Sequence, residues 1–92
     1  MKWLEIIKLR GAGIEQGLLK EFLRSLVKSG RSGELVGVVS YRHAALENDL
    51  SVHLHWEPEQ PTQNGSALGL RLAQALKEFG LVDHTVWIED EK

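Results

Sequence analysis

His53-Leu54-His55 places two imidazoles two residues apart, and on a strand that spacing turns both rings to one side. Such a pair chelates a transition metal only when a neighbouring strand adds a third ligand. Glu57, Glu89 and His84 are the residues to consider, but alternation turns His84 to the opposite side. Two histidines alone fill a partly wet face as readily as they bind a metal, so no metal site is expected. The same imidazoles titrate near neutral pH and suit proton transfer. Arg42 could hold a carboxylate or enolate oxygen, and Glu89 could orient a histidine. The expected catalytic set is therefore His53, His55 and Arg42, with Ser40, Thr85, Trp87 and Glu89 as ligand-binding neighbours. The competing reading makes these residues a polar network between two subunits.

Other chemistries are excluded by residue type or spacing. The chain has no cysteine, which removes thiolate nucleophiles, thiolate zinc sites, disulfides and cysteine-held clusters. No G-x-S-x-G elbow surrounds any serine. Gly11-Ala12-Gly13, with Gly17 beyond, does not have the spacing of a dinucleotide fingerprint, and a turn explains it. A helix N-terminus there could still hold an anion, and in its loop glycine and strand order the chain also resembles the amino-acid-binding ACT domain, which makes an ACT-like regulatory module an alternative.

Eleven basic and thirteen acidic residues in 92 give a formal charge of −2, with no basic stripe to neutralise phosphates. Nucleic acid is therefore not an expected partner. No apolar run approaches the length of a membrane span, and Met1 to Glu5 do not open a signal peptide, so a cytoplasmic protein is expected. The length fits a single domain, 1–92, small enough for self-association to help bury apolar surface.

These side chains need a scaffold. Lys2 to Arg10 reads as a central strand, apolar on both faces, ended by Gly11-Ala12-Gly13. Ile14 to Ser29 reads as a helix with an apolar stripe through Leu18, Phe22 and Leu26, and Lys20, Glu21, Arg24 and Lys28 opposite. Glu34 to His43 is β-branched and aromatic, a second strand, and Leu46 to Asp49 forms a hairpin tip. In Leu50 to Glu57, Leu50, Val52, Leu54 and Trp56 alternate with Ser51, His53, His55 and Glu57. Pro58 to Gly65 is a loop, Ser66 an N-cap, Ala67 to Phe79 a helix with Gly80 at C′, and His84 to Glu89 the last strand.

The order β-α-β-β-α-β is the ferredoxin-like plan: an α+β fold with a four-stranded antiparallel sheet and two helices on one face. The other face is open, and Ser40, Arg42, Ser51, His53, His55, Glu57, Thr85, Trp87 and Glu89 are expected there. A second copy of the chain or a small-molecule ligand would have to cover that apolar-and-polar mixture. In length, element order and the stretch from Ser66-Ala67-Leu68-Gly69 to Phe79-Gly80-Leu81-Val82-Asp83-His84-Thr85-Val86-Trp87, the chain resembles the dimeric α+β barrel superfamily. That superfamily includes antibiotic-biosynthesis monooxygenases and stress-response barrel proteins. The resemblance implies a homodimer joined sheet to sheet. Its enzyme members imply cofactor-independent oxygenation or isomerisation of a small aromatic or carbonyl compound, with no cofactor. Haem degradation, another activity there, does not fit, because the only asparagines, Asn48 and Asn64, fall in expected loops.

Overall fold

A computed structural model describes residues 2–11, 20–21, 24–25, 28, 35–46, 48–57 and 65–90. Four strands, β1 (Trp3–Gly11), β2 (Leu35–Arg42), β3 (Asp49–Trp56) and β4 (Gly80–Ile88), form one antiparallel sheet in the order β2-β3-β1-β4. β1 is central, as its two apolar faces require, and pairs with both β3 and β4. One helix, Ala67–Leu76, packs on β1 and β4. Lys20, Glu21, Arg24, Ser25 and Lys28 are helical and exposed, in keeping with the polar side expected of the earlier helix. The apolar stripe of that helix lies outside the described residues. The described part is thus an α+β fold of four antiparallel strands and a helix.

Alternation decides which residues enter the core. Val52, Leu54 and Trp56 of β3 are buried, and so are Trp3, Ile7 and Leu9 of β1. Leu68, Leu72, Ala73 and Leu76 recur at helical spacing and close over them. Trp3 and Trp56 face each other across the strand pair, stacked with centroids 5.6 Å apart. At the hairpin, His43 Nδ1 accepts from the amides of Ala45 and Leu46, both at 3.0 Å, and Asp49 N–H donates to the Leu46 carbonyl.

Two boundaries differ from the sequence pattern. The helix ends at Leu76, not Phe79, and the turn of residues 77–79 leads directly into β4. Gly80 is therefore the first residue of a strand and not a helix cap, and β4 begins four positions before His84. The cause is pairing: Gly80 lies opposite Gly11, and a Cβ on it would stand 2.0 Å from the Arg10 carbonyl oxygen.

Candidate functional site

On β3 the expected alternation holds, and Ser51, His53 and His55 share the face away from the helix. Residues directly opposite in an antiparallel pair share a face. The register therefore adds Leu4, Ile6 and Lys8 from β1, Gly37, Val39 and Tyr41 from β2, and Asp83, Thr85 and Trp87 from β4. Tyr41 packs on His53 at 4.6 Å between centroids, with His55 at 6.3 Å on the other side of His53. Ser51 Oγ lies 3.3 Å from His53 Nε2. Trp87 Nε1 donates to Thr85 Oγ1 at 2.8 Å, which fixes an indole that is 57% exposed. Burial of the His53 ring, then the nearby His55, then the Lys8 ammonium hold its pKa below the ordinary imidazole value of 6.5.

Ser40 and Arg42 are not on this face. Leu35 opposes Trp56, but Gly37 opposes His55, so Val36 is an extra residue in β2, a bulge. Counted in twos from buried Leu35, Ser40 and Arg42 would reach the open face. The bulge shifts the phase by one, which sets Ser40 opposite Val52 and Arg42 opposite Leu50, on the helix side. The set His53, His55, Arg42 is thus not assembled, and Tyr41 takes the place expected of Arg42. Thr85 and Trp87 are where alternation puts them, and Glu89 follows just beyond β4, its amide bonded to the Lys2 carbonyl. Among the described residues no group of three His, Asp or Glu side chains is arranged to hold a metal ion.

Two clefts lie at opposite ends of the sheet. One, of about 520 Å³, includes Leu4, His55, Trp87, Glu57 and Glu89 in its lining. The other, of about 490 Å³, is lined by Lys8, Arg10, Tyr41 and Asp83 among others.

A second cluster, on the helix side, is built around a residue that pattern reading passed over. Glu5 sits in the buried series Trp3, Glu5, Ile7, Leu9 and is 0% exposed. Its Oε2 accepts from Trp56 Nε1 at 2.8 Å and from Ser66 Oγ at 2.5 Å. Its Oε1 accepts from the Ser66 amide at 2.9 Å and lies 2.8 Å from His84 Nε2. Ser66 Oγ also accepts from the Gly69 amide, the N-cap bond of the helix. The pocket for the carboxylate depends on two glycines. A Cβ on Gly65 would stand 2.2 Å from Oε1 and one on Gly69 2.0 Å, and Gly65 has φ +90°. The clue in the sequence was an acid at an inward position of the central strand. His84, as alternation implies, faces this side and not the His53–His55 side.

No protein-family model matches the chain, and no curated protein matches it. Among solved structures, a variant of SnoaB, a cofactor-independent oxygenase from Streptomyces nogalater, is similar with TM-score 0.69 and 15% identity, over 99% of this chain and 95% of that one. Rv0793 from Mycobacterium tuberculosis is similar with TM-score 0.67 and 14% identity, over 100% and 98%. At such identities the likeness is one of fold. No helix among the described residues is long and apolar enough to cross a membrane. What the chain shares with these two proteins is a ferredoxin-like α+β fold.

Proposed function

We propose that the chain forms a homodimer through its open sheet face and binds a small molecule in a cleft at the sheet's end. The observation that carries this is the surface itself. Val39 (40% exposed), Tyr41, Leu81 and Trp87 stand out from the middle and edges of a sheet face that also holds Leu4 and Ile6. An apolar area of that kind on a small domain calls for a cover. A second copy fits best, because the face joins apolar side chains to polar and charged ones, Lys8 and Asp83 among them, that a copy of the same face could match. A histidine held neutral by its surroundings is also cheaper to bury than a charged one. In this reading His53 and His55 belong to the interface, and His55, Trp87 and Glu89 border the ligand cleft. The test is light scattering of His53→Ala and His55→Ala variants. Loss of the dimer supports an interface role, whereas an intact dimer with ligand binding abolished returns the histidines to the pocket alone.

A second reading, cofactor-independent oxygenation of a small aromatic or carbonyl compound, draws on the fold shared with SnoaB. The substrate then supplies the electrons: an activated methylene loses a proton, its carbanion reduces O₂, and the resulting hydroperoxide loses water to leave a carbonyl. One methylene and one O₂ become one carbonyl and one H₂O. Oxygen consumption with a panel of phenols and β-dicarbonyl compounds, with no metal or cofactor added, tests it. Uptake no faster than in buffer with every compound would count against this reading.

A further inference from the structure

That second reading requires a base, and with Arg42 on the opposite side the open face lacks the expected trio. We propose that the base is His84, held and oriented by Glu5, so that the helix side of the sheet is a proton-transfer site. The inference rests on the oxygenation reading only for the identity of the reaction, since proton abstraction needs no oxygen.

Burying Glu5 is costly. A carboxylate with no exposure is stable only when its oxygens are matched, and a buried ion pair seldom adds stability over apolar residues of similar size. Yet an indole N–H, a serine O–H and a backbone N–H all converge on it, and two glycines leave the room it needs. These three donors satisfy an ionised carboxylate, and the fourth position, on Oε1, goes to His84. An ionised Glu5 can only accept, so His84 Nε2 carries the proton and donates it. The ring is then fixed in the tautomer whose Nδ1 holds a lone pair. Nδ1 has no hydrogen-bond partner among the described residues, and the His84 side chain is 14% exposed where Glu5 is sealed. A partly open imidazole backed by a buried carboxylate is the arrangement that orients a base and stabilises the imidazolium it becomes.

The substrate class is a small carbon acid or phenol. Its C–H or O–H bond breaks, the electron pair stays on the substrate, and the proton passes to His84 Nδ1 while Nε2–H remains on Glu5. His84 is the catalytic residue and Glu5 a positioning residue.

The probe is 5-nitrobenzisoxazole, which a base opens without oxygen: the carbon-bound proton is removed, the N–O bond breaks, and a coloured cyanophenolate is released. The whole chain should open it faster than an equal concentration of imidazole. His84→Gln should lower the rate at least about a hundredfold, the low end for a positioned acid or base, while His43→Gln, at the hairpin, retains it. Glu5→Gln should also lower the rate with His84 in place. Long-range ¹⁵N–¹H NMR should show His84 protonated at Nε2 only. A rate no higher than that of imidazole, a rate that survives His84→Gln, or a proton on Nδ1 would each overturn the proposal. If Glu5→Gln fails to fold, His84→Gln and the tautomer decide it. Because the probe works under argon, base function without oxygen consumption would remove the oxygenase reading and leave His84 standing.

Discussion

The carboxylate of Glu5 and the glycines around it act as one unit. Alanine is normally preferred to glycine inside a helix by about 1 kcal/mol, so Gly69→Ala would stabilise an isolated helix. Here its Cβ would meet Glu5 Oε1 at 2.0 Å and force the carboxylate away from its donors. The expected outcome is the opposite sign, a loss of about 3–5 kcal/mol in thermal or urea unfolding, the scale of a buried charge left poorly matched. Combined with Glu5→Ala, which clears the space, Gly69→Ala should cost less than it does alone. Glu5 was readable as a residue in an apolar series but not as a site. Its four partners come from β1's neighbours and from a loop end 61 residues away in sequence, and only the tertiary fold brings them together. His53 and His55 were legible, because strict alternation over eight residues of β3 leaves no other face for them.

At the scale of the element, β2 shows where a period of two stops being informative. A single extra residue, Val36, moves every later side chain of the strand to the other face, and nothing in Leu35-Val36-Gly37-Val38-Val39 marks which residue bulges. This separates two neighbours experimentally. Tyr41, against His53 on the open face, should contribute to self-association, and Tyr41→Ala is expected to weaken the dimer about tenfold, the scale of a central aromatic contact. Arg42→Ala, on the opposite side and exposed, should leave the dimer constant unchanged. Sedimentation equilibrium on the two variants measures both. The order of the four strands, the central position of β1 and the helix after Ser66 were all legible, because each follows from a period or a cap. The helix end and the start of β4 were not, because Gly80 serves strand pairing with Gly11 and a sequence pattern cannot tell that from a cap.

For the whole molecule, stability and assembly should both depend on pH through His53. The pKa of His53 in the folded chain lies below its value when unfolded, so the folded form binds fewer protons around neutrality. Its contribution to stability is therefore present above the ordinary imidazole value of 6.5 and is lost as pH falls through the lower folded value. Self-association should weaken in the same direction, since an interface that buries His53 penalises its charged form. A midpoint of dissociation below pH 6.5 that disappears in His53→Gln is the expected result, read by light scattering across a pH series.

The central claim is that the face carrying Val39, His53 and Trp87 is covered by a second copy of the chain. Light scattering coupled to size exclusion, run at micromolar concentration and neutral pH on the wild type and on a Val39→Lys, Trp87→Glu double variant, tests it most directly. Both positions are exposed, so the variant should keep the fold. The account predicts a wild-type mass of twice 10.3 kDa and a folded variant at the single-chain mass. A monomeric wild type, or a dimer that the two charges leave intact, would contradict it.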